Sequence, residues 1–312
     1  MTLRTVGLTK RYGTHTALSE VDLTVEPGSV YGLVGPNGAG KTTLLALLAG
    51  LRRPSAGQIE LGVPRNRVAV LPDTPQFDPW LTGREVVALA AGLAARHPTK
   101  RPTSRDVPPP AQPAGGTTSQ PPAAALRDAG LEAAADRRTG GYSRGMLQRL
   151  GLAATLVGDP ELLLLDEPAS ALDPAGRREV LDLIGRLRGR RTVVLSSHIL
   201  TDVQEVCDTV GILRDGRLLF QGSLEQLLVG HAVPAYRVHV RAPVAPVLDA
   251  LQDQDWVTGV SMVDGGWLRV TVRPLAEAEQ RLAATLAGCG AHVVSLTPEA
   301  PDLEDVFLEL TS

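Results

Sequence analysis

Gly35-Pro36-Asn37-Gly38-Ala39-Gly40-Lys41-Thr42-Thr43 fits the pattern G-x-x-x-x-G-K-[ST], and the residues on either side of it decide the fold. Upstream, Ser29-Val30-Tyr31-Gly32-Leu33-Val34 reads as a short buried strand. Downstream, Thr42 to Ala49 reads as a helix that Gly50 stops. Gly35, Gly38 and Gly40 let backbone N–H groups turn inward around a β-phosphate, in conformations that a Cβ would obstruct. The helix points its positive N-terminal end at the same anion. Lys41 brings a mobile ammonium to the β- and γ-phosphates, and the Thr42 hydroxyl is placed to ligate Mg²⁺. The plain alternative is a glycine-rich turn that happens to precede a helix; the strand, the lysine and the threonine together weigh against it.

Working outward, residues 3–34 read as strands. Val21, Leu23 and Val25 alternate with Asp22, Thr24 and Glu26, and Pro27-Gly28 turns into the strand before the loop. Tyr12 either stacks its ring on a purine or is an ordinary half-buried turn aromatic. After the loop, Gln58–Leu61 and Arg67–Leu71 read as strands, and Thr82 with Glu85 spells a capping box for a helix. From Pro98 to Pro122 the chain carries eight prolines and few apolar side chains. Such a stretch cannot offset its ordering entropy, so residues 98–122 read as a disordered insert that trypsin should open at Lys100, Arg101 or Arg105. Leu162-Leu163-Leu164-Leu165-Asp166-Glu167 is an apolar strand ending in two acids, as in a parallel sheet that presents ligands at its C-terminal edge. Pro174–Gly189 reads as a helix and Thr192–Ser196 as a second buried strand. Ser197-His198 follows, then a helix over Ile199–Cys207 with Cys207 in the core.

Bulk properties exclude several classes. At 312 residues, with 43% hydrophobic content, the chain is long enough for one large domain and a smaller one. The net charge of −3 gives no global basic field for nucleic acid, and no nucleic-acid partner is expected. The run Arg186–Arg191 reads as a solvated helix end. Two cysteines, Cys207 and Cys289, without C-x-x-C or metal-ligand spacing, argue against a disulfide framework or a cysteine metal site, and a reducing cytoplasm fits. No apolar run reaches bilayer length, so the chain is expected to be soluble by itself.

With these residues in order, the chain resembles the nucleotide-binding subunit of ABC (ATP-binding cassette) transporters over roughly residues 3–228. Tyr12 matches the adenine-stacking aromatic and Gly35–Thr43 the Walker A loop. Tyr142-Ser143-Arg144-Gly145-Met146 matches the signature motif, in the form seen in drug- and antibiotic-exporter branches. Leu162–Glu167 matches Walker B with the catalytic glutamate, Ser170-Ala171-Leu172-Asp173 looks like the D-loop, and His198 like the switch histidine. The resemblance implies an α/β P-loop NTPase of ABC type over residues 1–230, with a mixed sheet core, an antiparallel β subdomain and a reduced helical subdomain.

It further implies ATP and Mg²⁺ as ligands. Thr42, Asp166 and Asp73 would serve the metal, Glu167 would orient or deprotonate the attacking water, and His198 would sense the γ-phosphate. Ser143, Arg144, Gly145 and Met146 would have no role inside their own chain and would cap ATP bound to a second copy, giving an ATP-dependent homodimer. The implied protein is the ATPase of an exporter, on the cytoplasmic face of the membrane beside a separate integral-membrane permease. A soluble non-transport ABC ATPase and a weakly active nucleotide-sensing module are the alternatives. The family's usual glutamine at the end of the strand before the helical subdomain is replaced by Asp73, with Gln76 three residues later, and either can take its role.

Residues 231–312 carry a different pattern. Tyr236, Val238 and Val240 alternate with Arg237, His239 and Arg241; a helix follows, then Trp256–Val263 and Trp267–Val272 around the turn Asp264-Gly265-Gly266. Leu275–Ala287 reads as a helix and His292–Leu296 as a strand. The order β-α-β-β-α-β is that of a small α+β, ferredoxin-like domain, either a sensor or a dimer-stabilising appendage. Leu303–Leu310 resembles the exporter branch's closing helix.

Overall fold

The four-leucine run Leu162–Leu165 (β6), Val30–Val34 (β3) and Thr192–Ser197 (β7) are buried along their whole length and pair side by side as parallel strands. Burial on both faces is what their uninterrupted apolar character demands. In this computed structural model, which describes residues 1–95, 121–231, 234–241, 243–263, 265–299, 303, 306 and 307, they form the middle of a six-stranded sheet. With Val68–Leu71 (β5), Thr209–Arg214 (β8) and Arg217–Ser223 (β9) its order is β5-β6-β7-β3-β8-β9, parallel except for β9. Because β3, β6 and β7 run the same way, the glycine loop, Asp166-Glu167 and Ser197-His198 all emerge at one edge.

A three-stranded antiparallel sheet, order β2-β1-β4, is built from Leu3–Tyr12 (β1), His15–Val25 (β2) and Ala56–Leu61 (β4). Between the two sheets lies the helix Lys41–Leu48 (α1), whose Leu44, Leu45, Leu47 and Leu48 join Leu3, Leu8, Leu18, Val21, Leu23, Leu33 and Leu164 in one core. Eight residues are too few for a helix to persist alone. Burial of each leucine, about 1.5–3 kcal/mol, is what holds α1 in register behind the glycine loop.

A helical layer packs a core of its own: Gly83–Ala95 (α2), Pro122–Asp128 (α3) and Arg144–Leu156 (α4) bring together Val86, Val87, Leu126, Leu131, Tyr142, Leu150 and Val157. The capping box forms as the sequence spells it. The Glu85 carboxylate accepts from the Thr82 N–H (2.8 Å), and the Thr82 hydroxyl accepts from the Glu85 N–H (3.2 Å). The proline-rich insert and its tryptic sites lie outside the described residues, apart from Pro121 and Pro122; Pro122 is the first residue of α3.

Pro174–Leu187 (α5) and Leu200–Val206 (α6) follow β6 and β7. The arginine run at the end of α5 is more than a solvated tip: Arg188 pairs with Asp208 at 2.9 Å and Arg191 with Asp159. Cys207 is buried as expected, and burial pushes its thiol far above the ordinary range.

The contact pattern divides the chain into Met1–Leu224 and Glu225–Ser312, with Leu224–His231 (α7) at the division. The second unit holds Ala235–Arg241 (β10), Ala245–Gln252 (α8), Val257–Val263 (β11), Trp267–Val272 (β12), Leu275–Gly288 (α9) and His292–Glu299 (β13). Its sheet is antiparallel, order β11-β12-β10-β13. Tyr236, Val238 and Val240, the alternating residues of β10, share a core with Val247 and Leu251 of α8 and with Ala278, Leu282 and Leu286 of α9. Of the closing segment only Leu303, Val306 and Phe307 are described, all helical.

Candidate functional site

The shared strand edge opens into a cleft of about 520 Å³. Its lining is Pro36 to Thr43 together with His15, Ala17, Asp73, Arg144, Glu167, Ser170 and His198. The cradle depends on glycine at two positions. A Cβ on Gly35 would stand 2.2 Å from the Leu213 carbonyl oxygen, and Gly40, at φ +107°, would press a Cβ to 2.7 Å from the Ala17 oxygen. The loop is therefore wedged between β8 and the start of β2.

Lys41 is only 6% exposed, and a buried ammonium needs partners. Its Nζ donates to the Gly35 carbonyl at 2.6 Å and lies 3.6 Å from Glu167 Oε1. The other carboxylate oxygen of Glu167, Oε2, is 2.8 Å from His198 Nδ1, so the acid bridges the lysine of the loop and the histidine after β7. Beside it, buried Asp166 accepts a 2.6 Å bond from the Ser196 hydroxyl, which in turn accepts the Glu167 N–H at 2.9 Å.

Glu167 sits at φ +48°, a left-handed backbone that costs a non-glycine residue about 1–3 kcal/mol. Three side chains hold it there: Ser196 takes the N–H, while Ser170 (3.1 Å) and Gln148 (3.4 Å) donate to its carbonyl. At about 0.5–1.5 kcal/mol each, those bonds are of the size needed to offset the strain. A strained residue over-determined by its surroundings is what functional sites select.

Not every expected residue is gathered here. Tyr12 is 40% exposed and absent from the cleft lining; Lys10 and Arg52 lie 4.9 and 5.6 Å from its ring centroid. Both cations are within cation–π range of the exposed ring. Asp73 lines the cleft and accepts a bond of 3.4 Å from Ser170, whereas Gln76 lines a separate cavity of about 450 Å³ with Leu71, Phe77 and Ala90. Of the two candidates for the glutamine role, only Asp73 faces the phosphate loop.

The signature segment also makes contacts within its own chain. Arg144 lines the cleft of the same chain, and Ser143 caps α4 by accepting the Met146 N–H at 3.2 Å. Gln148, one turn further, reaches Glu167. The reason is packing: α4 lies against the segment after β6, so its first turns face the strand ends. His15 and Ala17 were missed as lining residues; the sole sequence signal was their closeness to Tyr12. Behind His198, Asp202 is held by Arg177 at 2.6 Å, with burial pushing its carboxyl above the ordinary range.

Among the described residues no cluster of three or more His, Cys, Asp or Glu could hold a metal, and no helix is long and apolar enough to cross a membrane. Mg²⁺ commonly takes one or two protein oxygens and completes its shell with phosphate and water. Thr42 and Asp166 supply hard oxygen donors of that kind.

A family model described as ABC transporter matches residues 18–170. The chain is 34% identical over 307 residues to an uncharacterized ABC transporter ATP-binding protein, YxlF of Bacillus subtilis (strain 168), covering 97% of each. It is 31% identical to the bacitracin transport ATP-binding protein BcrA of Bacillus licheniformis, over 99% of this chain and 96% of the relative. A solved structure of the ATP-binding subunit of an ABC transporter superposes with a TM-score of 0.60 at 26% identity, over 74% of this chain and 93% of that one.

Proposed function

The chain belongs to the ABC transporter family as an ATP-binding subunit, and from that premise we propose that it powers an exporter. In this reading two copies close on ATP and drive a separate membrane-spanning permease from the cytoplasmic face. The observation that carries it is the Lys41–Glu167–His198 chain of contacts at the mouth of the glycine loop. A cradle for anionic oxygens and a carboxylate poised for water lie within one side chain's reach.

In this reading Lys41 leaves the Gly35 carbonyl for the terminal phosphates, and the loop N–H groups take the β-phosphate. Glu167, freed from Lys41, orients the attacking water and accepts its proton. His198 donates a ring N–H to the γ-phosphate. Thr42, Asp166 and Asp73 would hold Mg²⁺, which would neutralise phosphate charge when bound. Ser143, Arg144, Gly145 and Met146 meet ATP bound to a second copy, with the positive end of α4 aimed at its phosphates. The relative named for bacitracin transport supports movement of a drug-like cargo. The proline-rich stretch is read as an insert in the helical layer of the ATPase domain, residues 1–230, and residues 231–312 as an appendage to it.

Glu167→Gln tests the chemistry and the assembly together. ATP hydrolysis should fall at least about 100-fold, and the variant with saturating ATP should elute at twice the monomer mass. A wild-type rate removes Glu167 from the reaction; a persistent monomer with ATP bound removes the closed dimer.

A further inference from the structure

Gln148 breaks the pattern of its own helix. It is buried to 1% exposure in α4, between the capped end at Ser143 and the buried Leu150, Gly151 and Leu152. Its Oε1 has no hydrogen-bond partner among the described residues. A carboxamide desolvated this far and half satisfied is costly, and such a group calls for an explanation beyond packing. Its Nε2 donates to the main-chain oxygen of Glu167, 19 residues away.

We propose that Gln148 is a positioning residue for ATP hydrolysis, holding Glu167 in the left-handed conformation that keeps its carboxylate between Lys41 and His198. The inference rests on Glu167 acting on the water. At φ +48° the Glu167 carbonyl is turned toward α4 and the loop that follows β6, where its donors are Gln148 and Ser170. Ser170 belongs to that loop and shares its hydroxyl with Asp73. Gln148 is carried by a 13-residue helix packed in the core of the helical layer. It is the rigid member of the pair. Without it the peptide after Glu167 can rotate toward an unstrained conformation, which swings the carboxylate off the Lys41–His198 line. Nucleotide binding uses the loop and α1, so it should be spared.

The test is a double-mutant cycle on the full chain, reading steady-state ATP hydrolysis and the thermal midpoint of each protein. Gln148→Met keeps the length of the side chain and removes its donor. It should lower kcat about 10-fold, as a small misplacement of a catalytic group does, and leave KM for ATP within about twofold. On a Glu167→Gln background it should have no further effect on the residual rate, because the two changes disable one device. Should Gln148→Met fail to fold, Gln148→Asn withdraws the same carboxamide by one methylene and is expected to give the same split. A kcat within about twofold of wild type overturns the proposal, as does a slowing of similar size on the Glu167→Gln background. A Glu167→Gln protein as fast as wild type is a different failure, since it removes the reading beneath. A slow Glu167→Gln beside a fast Gln148→Met overturns the positioning role alone.

Discussion

Two helix starts face the cleft region of this protein, α1 behind the phosphate loop and α4 behind the signature segment. They are built to different standards. At α1 the preceding glycines are demanded by the chain itself: a Cβ on Gly35 or Gly40 would run into main-chain oxygens of Leu213 and Ala17. The first residue, Lys41, is buried and bonded within the loop. At α4 the hydroxyl of Ser143 caps the helix, and a Cβ on Gly145 would meet only the movable end of Leu172 at 3.2 Å and the Ala171 oxygen at 3.4 Å. The first start is complete in one chain. The second is less tightly specified at Gly145, where an added methyl would press on a side chain that can move.

That contrast can be broken by substitution, beginning with the largest effect. Gly35→Ala should lower ATP turnover at least about 100-fold and the thermal midpoint with it, because the added methyl meets a main-chain oxygen that cannot give way. Gly145→Ala should lower turnover about 10-fold while its midpoint stays within about 2 °C of wild type and equilibrium binding of ATP to the monomer is retained. If its midpoint falls as far as that of Gly35→Ala, the distinction between the two starts is gone. The smallest effect sharpens the point. Ser143→Ala and Thr82→Ala each delete an N-cap, worth typically about 1 kcal/mol, and each should lower the midpoint by about 2–4 °C. Only the Ser143 variant should also lose ATP turnover.

Much of the first unit is legible in the sequence because its signals are local. The glycine loop, the four leucines before Asp166 and the Thr82–Glu85 box each lie within a window of ten residues or fewer, and each forms the element its spelling calls for. The strand and helix order of residues 235–299 is legible for the same reason, through the alternation of Tyr236, Val238 and Val240. What escapes a linear reading is any feature made by partners far apart in the chain. That Arg52, from beyond the loop helix, lies beside the Tyr12 ring is one such feature. That Arg144 lines the cleft of its own chain is set by the packing of α4 and has no signal in the residues around it.

By itself the sequence determined the order of the elements, the phosphate-loop chemistry and the family, since each depends on neighbours along the chain and on side-chain types suited to one task. Tertiary structure alone decided the backbone of Glu167. Nothing between Leu162 and Pro168 calls for a positive φ there. The conformation stands because a serine from β7, a glutamine from α4 and Ser170 converge on one peptide unit. A strained dihedral is stable only where such bonds hold it in place, and their geometry exists only after the sheet and helices have packed.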